Sequence, residues 1–201
     1  MPLIVLEGID GCGKTTQVER LVARLQALGR PFRSLREPGG TALGEQLRQV
    51  LLDPATHAAP VAELFGYLMA RAQLCHEVIA PALATGELVL LDRFYHSTLA
   101  YQAYGLGLDV AAVRAAIRLA TGGIVPDLVL WLDLDPAEAG RRRAAARGLD
   151  RIEARGLDYL RRVHGGYQAL VASDGIVAID ATAAPEVIAE RIWELVAPFV
   201  R

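Results

Sequence analysis

The stretch Gly8-Ile9-Asp10-Gly11-Cys12-Gly13-Lys14-Thr15, directly behind the apolar run Leu3-Ile4-Val5-Leu6, constrains this chain more than any other. Its spacing is G-x-x-x-x-G-K-[ST], in which a short buried strand delivers the backbone into a glycine-rich turn and a helix follows. From Lys14 onward, Val18, Leu21, Val22, Leu25 and Leu28 recur at helical spacing, with Gly29 as a stop. The glycines let backbone N–H groups converge on one anion, and the helix start adds partial positive charge. Gly8 to Thr15, with Thr16 behind them, are therefore candidates for cradling a triphosphate. Lys14 would bridge the outer phosphates, and the Thr15 hydroxyl would hold a magnesium ion.

Composition sharpens this reading. Of 21 basic residues, Lys14 is the only lysine and the other 20 are arginine. A compact ammonium suits the gap between two phosphates better than a planar guanidinium. A chain of 201 residues with 53% hydrophobic content can bury a sizeable core, and one domain over 1–201 is expected. A net charge of −2 provides no basic footprint for a nucleic acid polymer, so a small nucleotide partner is favoured. Cys12 and Cys75, and the histidines 57, 76, 96 and 164, are dispersed and suggest neither a zinc site nor a redox pair. The apolar start is too short for a signal peptide, and no run is long enough to span a membrane. A cytoplasmic setting is expected.

Apolar runs alternate with helical periodicity along the chain, the pattern of an α/β fold with a parallel sheet wrapped by helices. Phe32 to Leu35 reads as a second strand, ending in the turn-rich Arg36-Glu37-Pro38-Gly39-Gly40-Thr41. Ligands of open α/β sheets bind at that carboxyl edge, although an ordinary strand–helix connection has the same spacing. Helices are expected over Thr41–Leu52 and from about Val61 to Ala84, the second with Leu64, Leu68, Ala72, Cys75 and Ile79 on one face. Tyr67 and Arg71 project from neighbouring turns of that helix. They could take a base and its phosphate, or be a core tyrosine beside a solvated arginine.

Leu88-Val89-Leu90-Leu91-Asp92-Arg93 has the form of the partner strand of a phosphate-loop fold. The Asp92 carboxylate would reach the magnesium shell, and Arg93 a phosphate. Phe94 to Tyr104 continues as a helix bearing Ser97, Thr98, Tyr101 and Gln102, and another helix is expected over Asp109–Thr121. Leu128 to Leu132 reads as a buried strand, and Ile176 to Asp180 as the last one. Asp180 and Ala181, at its end, are candidates on the donor-nucleotide side. A helix closes the chain over Ala184–Phe199. Gly140 to Arg155 carries arginines 141, 142, 143, 147, 151 and 155 around a break at Gly148-Leu149. It reads either as a solvated charged helix or as a lid that closes arginines over a phosphate chain and expels water.

A guanine-reading N-K-x-D cannot occur in a chain whose only lysine is Lys14, which excludes the GTPases. Phosphoryl transfer to a small acceptor is favoured, and an anionic phosphate acceptor needs no general base. A kinase for a different small acceptor and a nucleotide-binding regulatory protein stay open on these residues alone.

Together, Leu6-Glu7-Gly8-Ile9-Asp10-Gly11-Cys12-Gly13-Lys14-Thr15-Thr16, Arg36-Glu37-Pro38-Gly39-Gly40-Thr41, Tyr67-Leu68-Met69-Ala70-Arg71, Asp92-Arg93, Ser97-Thr98, Ala100-Tyr101-Gln102, Pro126-Asp127 and Leu149-Asp150-Arg151-Ile152-Glu153 resemble the bacterial thymidylate kinases nearly end to end. The resemblance implies a P-loop kinase fold, with a five-stranded parallel sheet flanked by helices, an Arg-rich lid at about 140–155, and a homodimer. It implies transfer of the γ-phosphoryl of ATP, with Mg2+, to dTMP, giving dTDP and ADP.

By the same resemblance, Asp10 would receive the deoxyribose 3′-hydroxyl and help to organise magnesium, alongside Thr15 and Asp92. Arg71 and Arg93 would hold the dTMP phosphate, with Glu37, cis-Pro38 and Gly39 shaping the loop beside it. Tyr67, where many relatives have phenylalanine, would stack on thymine. Thr98 and Gln102 would address the base edge, and Tyr101 would crowd C2′ of the sugar. Glycine at position 11 matches the members whose catalytic arginine sits in the lid, so Arg143, Arg147 and Arg151 join Lys14, Asp10 and Arg93 as catalytic candidates.

Overall fold

The computed structural model describes residues 2–144, 151–152 and 155–200, without the side chains of 143 and 144. Five strands, β1 (Leu3–Glu7), β2 (Phe32–Arg36), β3 (Leu88–Asp92), β4 (Leu128–Asp133) and β5 (Val177–Asp180), form one all-parallel sheet in the order β2-β3-β1-β4-β5. All five residues of β1 are buried, as a central strand covered on both faces requires. Its backbone is tied to the start of β4 by Asp127, whose carboxylate accepts from the Leu3 N–H at 2.8 Å.

Nine α-helical segments are described: α1 (Lys14–Ala27), α2 (Ala42–Leu52), α3 (Pro60–Leu74), α4 (Ala80–Ala84), α5 (Tyr95–Thr98), α6 (Val110–Thr121), α7 (Pro136–Ala144), α8 (Leu157–Asp174) and α9 (Pro185–Val196). The expected helix over 61–84 is continuous but widens into a π-helical turn at Cys75–Ile79 between α3 and α4. Pro81 lies just beyond, and a proline inside a helix lacks its N–H and crowds the carbonyl four residues back. A local widening accommodates both defects. A second π-helical stretch, Leu99–Gly105, extends α5.

Two details of the periodicity reading are corrected. Leu28, expected on the buried face of α1, caps that helix at 49% exposure. On α3 the buried face is centred on Leu64, Leu68, Arg71 and Leu74, while Ala72 is only partly covered.

The 18-residue α8 has no counterpart in the sequence reading, although Leu157, Leu160, Val163, Tyr167 and Leu170 recur at helical spacing. It packs closely along the 99–105 stretch. A Cβ on Gly166 would come within 2.8 Å of Tyr104, and one on Gly105 within 2.8 Å of Tyr159.

No helix among the described residues is long and apolar enough to cross a membrane.

Candidate active site

β2, β3 and β1 lie side by side, with Arg36 opposite Asp92 and Asp92 opposite Leu6. The loops that leave their carboxyl ends therefore meet. Glu37 N donates to Asp92 O at 3.0 Å, and Arg93 N donates to Leu6 O at 2.9 Å. This brings the Gly8 loop, the Glu37–Thr41 loop and Arg93 to one edge of the sheet.

In the Gly8 loop, Gly8, Gly11 and Gly13 all have positive φ, at 142°, 89° and 95°. Only glycine adopts such conformations without strain. Gly11 has a second constraint, because a Cβ there would lie 2.3 Å from the Ala139 carbonyl oxygen of α7. A side chain at position 11, arginine included, has no room, so any arginine acting on a phosphate must come from elsewhere. Gly13 leads into α1 with no side chain capping its first turn. The Thr15 and Thr16 side chains there are exposed. The start of α1 thus keeps unsatisfied N–H groups and a positive dipole end for an anion.

Lys14 is buried at 6% exposure, with Nζ donating to Gly8 O at 2.9 Å and lying 3.8 Å from Asp10 Oδ1. Cys12 is buried, and burial pushes its thiol pKa up, against the pull of Lys14. It is an inert packing residue. Asp180 is exposed and caps its own turn by accepting from Thr182 N at 2.9 Å. The buried Ala181 accepts through its carbonyl from Arg142 Nη1 at 3.0 Å. Gln17 Nε2 donates to Pro185 O at 2.9 Å, tying α1 to the segment that leads from Ala181 into α9.

Arg93 is the only non-glycine residue with positive φ, 72°, among those described. Such backbone costs an arginine of order 1–2 kcal/mol and persists only where the surroundings hold it. Here they do. Arg93 Nη2 donates to Asp10 Oδ1 at 2.6 Å and Nη1 to Ser97 Oγ at 3.1 Å, and the guanidinium lies 5.2 Å from the Tyr101 ring centroid. Burial pulls its pKa down, but Asp10, Tyr101, Tyr167 and Asp92 outweigh that and keep it charged. At the neighbouring strand end, Asp92 Oδ1 is buried without a hydrogen-bond partner.

Beneath this cluster sits Glu7, fully buried, to which sequence pattern alone assigns no role. Its carboxylate accepts from Phe94 N at 2.9 Å, Ser97 N at 3.1 Å, Ser97 Oγ at 2.6 Å and Tyr167 OH at 2.9 Å. It thereby caps the first turn of α5 and, through Ser97, supports Arg93 from below. A charged residue ending a wholly apolar strand was the available signal. Tyr167 went unseen with α8.

Arg71 is also buried, at 2% exposure. Nε donates to Glu37 Oε2 at 2.8 Å, Nη1 to Thr98 Oγ1 at 2.7 Å, and Nη2 to the Phe94 carbonyl at 3.1 Å. Of the two arginines expected at one phosphate, Arg93 stands on Asp10, while Arg71 stands on Glu37 and Thr98. Burial raises the Glu37 carboxyl above the usual range, against the charge and hydrogen bond of Arg71, and its Oε1 has no partner. The Glu37–Pro38 peptide is cis, as expected, and Glu37, Pro38 and Gly39 are all buried.

Tyr67 is half-buried, and burial, with Glu63 beside it, pushes its phenol well above the ordinary range. Thr98 and Gln102 are buried, and Tyr101 is buried with its hydroxyl unpartnered.

Glu63, a second residue the sequence reading passed over, is 0% exposed and collects Gln102, Arg151 and Arg155. Arg151 Nε also donates to the Leu51 carbonyl at 2.9 Å. The other lid candidates, Arg147 and the side chain of Arg143, lie outside the described residues. So do Leu149, Asp150 and Glu153 of the Leu149–Glu153 motif.

Among the described residues, no cluster of three or more His, Cys, Asp or Glu could hold a metal. The donors present, the Thr15 hydroxyl and the unpartnered Asp92 oxygen, suit a hard cation that keeps most of its ligands as water and phosphate oxygen.

A family model described as thymidylate kinase matches residues 6–192. A thymidylate kinase of Synechococcus sp. (strain JA-3-3Ab) is 52% identical over 199 residues, covering 97% of this chain and 95% of the relative. One of Synechococcus sp. (strain JA-2-3B'a(2-13)) is 51% identical over 199 residues, 97% of this chain and 94% of the relative. One of Deinococcus radiodurans is 46% identical over 196 residues, 96% of this chain and 95% of the relative.

Proposed function

The chain belongs to the thymidylate kinase family, and we propose on that footing that it transfers the γ-phosphoryl group of ATP to the phosphate of dTMP, giving dTDP and ADP for DNA synthesis. The observation that carries the reading is the Asp10–Arg93 pair. Asp10 belongs to the loop that cradles the donor phosphates, and Arg93 begins the segment that leads to Ser97, Thr98, Tyr101 and Gln102. Donor and acceptor residues therefore form one contiguous surface.

ATP lies with its phosphates on the Gly8–Thr16 loop and its nucleoside toward Asp180 and Ala181. Lys14 spans the outer phosphates. Arg93 holds the dTMP phosphate in line with the γ-phosphorus, and Asp10 receives the 3′-hydroxyl. Tyr67 forms the stacking face for thymine, while Thr98 and Gln102 meet its polar edge. Arg71 and Glu37, with Pro38 and Gly39, form the buried wall of the acceptor site. Both substrates are anionic, so the catalytic task is positioning and charge neutralisation. Arg143, Arg147 and Arg151 are the candidates for the charge that the loop, with glycine at position 11, cannot supply.

Mg2+ is part of this reading, held by Thr15 and reached by Asp92 and Asp10, directly or through water. When bound, it would neutralise charge on the donor phosphates. Residues 1–201 are read as one catalytic domain with a lid at about 140–155, working in the cytoplasm. Val61, Phe65 and Met69 form an exposed apolar stripe on α3, opposite its buried face, and Val50 is exposed on α2, which packs against α3. That surface is the proposed homodimer contact.

ADP release measured with dTMP, dUMP, dCMP, dGMP and ribothymidylate as acceptors tests the function. Preference for dTMP is expected. Equal use of all five would overturn it.

A further inference from the structure

Glu63, Tyr67 and Arg71 follow one another at intervals of four on α3, so they rise along one face of the helix. Both outer members bridge to the helical segment 95–105. Glu63 Oε1 accepts from Gln102 Nε2 at 3.0 Å, and Arg71 Nη1 donates to Thr98 Oγ1 at 2.7 Å. Tyr67 lies between the two bridges. The proposed function puts the acceptor base on Tyr67, with Thr98 and Gln102 at its edge, and the present inference rests on that reading.

A glutamine amide has a donor end and an acceptor end of nearly equal shape. Left free to turn over, it would meet a ring N–H or a bare ring nitrogen equally well. Gln102 is not free. Glu63 faces it, fully buried, and also accepts from Arg155 Nη1 at 3.2 Å and Nη2 at 2.5 Å, while Arg151 Nη2 lies 2.7 Å away as an ion-pair partner. Burial alone would raise the Glu63 carboxyl. The hydrogen bonds from Arg155 and Gln102 and the charges of Arg155 and Arg151 outweigh it, so the group lies below the ordinary range and is ionised. An ionised carboxylate can only accept, so the end of Gln102 that faces it must be the amide nitrogen.

We propose that Glu63 is a specificity-determining positioning residue: by pinning the Gln102 nitrogen through a buried hydrogen bond, it leaves the amide oxygen for the base and selects nucleotides whose ring edge carries an N–H donor, as in thymine and uracil, over those with a bare ring nitrogen, as in cytosine. A bare nitrogen set against that oxygen leaves two buried acceptors facing each other, and sites that hydrogen-bond their substrate reject such analogues strongly. Arg151 and Arg155 contribute by keeping Glu63 ionised. Glu63 itself touches no reacting atom.

The test compares kcat/KM for dTMP and dCMP, at saturating ATP, in the wild type, Glu63→Gln and Glu63→Asp. The amide introduced by Glu63→Gln can donate as well as accept, so the Gln102 amide can turn over. The dTMP-to-dCMP ratio is expected to fall by about ten-fold or more, one hydrogen bond's worth, through the acceptor KM, with the ATP KM unchanged. Glu63→Asp keeps an acceptor-only group and should retain more of the ratio than Glu63→Gln. An unchanged ratio in folded Glu63→Gln, or the reverse order of the two variants, overturns the proposal. If Glu63→Gln does not fold, Gln102→Met decides: a ratio that survives loss of the amide overturns it equally. A wild type without preference for dTMP would instead remove the underlying functional reading.

Discussion

Nη2 of Arg93 lies 2.6 Å from Oδ1 of Asp10, so residues 83 positions apart, one at the end of β3 and one in the phosphate loop, form a single charged unit. Asp10 also lies 3.8 Å from Lys14 Nζ. The carboxylate is thus shared between a cation assigned to the donor phosphates and one assigned to the acceptor phosphate.

Replacing Arg93 separates its charge from its backbone strain. Arg93→Lys keeps the charge but cannot hold Asp10 and Ser97 together, and kcat/KM for dTMP should fall by about 10²-fold, as for loss of one transition-state donor. Arg93→Gly should lose at least as much activity while melting no lower than wild type minus a few degrees, because glycine relieves the φ of 72°. Full activity in either variant would take Arg93 out of the site.

Lys14→Met should abolish turnover, with a loss of at least about 10²-fold in kcat, while the far-ultraviolet circular dichroism spectrum stays that of the wild type. The variant loses one hydrogen bond, to Gly8 O, and keeps the apolar stem in its buried position. Activity near the wild-type level would take Lys14 out of the catalytic set.

Tyr101 is buried, with an unpartnered hydroxyl and the Arg93 guanidinium over its ring. Tyr101→Ala should narrow the preference for dTMP over ribothymidylate, read as the ratio of kcat/KM values. Tyr101→Phe keeps the ring and should leave that ratio within about two-fold, since it is the ring and not the hydroxyl that crowds C2′ of the sugar. A ratio unaltered in the alanine variant would assign sugar discrimination to another residue.

His96 is buried, and burial, joined by the charges of Arg114 and Arg71, lowers its pKa to about 4, although Asp174 lies 3.8 Å from Nε2 and opposes the shift. The folded protein therefore holds His96 neutral, while the unfolded chain takes up a proton near pH 6.5. The associated stability is present above pH 6.5 and is lost as pH falls toward 4. Urea unfolding at pH 7 and pH 5 should show the wild type losing about 2 kcal/mol more than His96→Gln over that interval. Equal losses would mean that other groups carry the acid sensitivity.

Phe65 is 60% exposed in the chain. Light scattering of the wild type should report twice the chain mass, and Phe65→Glu, which sets a charge in the apolar stripe, should report the single mass at micromolar concentration. A monomeric wild type would remove the dimer from the functional reading.

Local physics determines what is visible along one chain. The glycines, Lys14 and Thr15 of the loop, the apolar strands, the helical periods and the Asp92-Arg93 strand end are all patterns within a few residues. Each was legible in the sequence before any tertiary contact was known. The unread helix α8 obeyed the same rules, with its leucines, valine and tyrosine at helical spacing, but followed a run of arginines that drew the reading toward a lid.

Partnership belongs to another level. No spacing rule says that Glu7 supports Ser97 and Arg93, that Glu37 rather than solvent meets Arg71, or that Glu63 gathers Gln102, Arg151 and Arg155. Those pairs lie 34 to 92 positions apart. They exist because the strand order β2-β3-β1 sets three loops at one edge and lays α3 against the segment 95–105. Buried charges must find partners, and only the tertiary arrangement determines which partners are within reach.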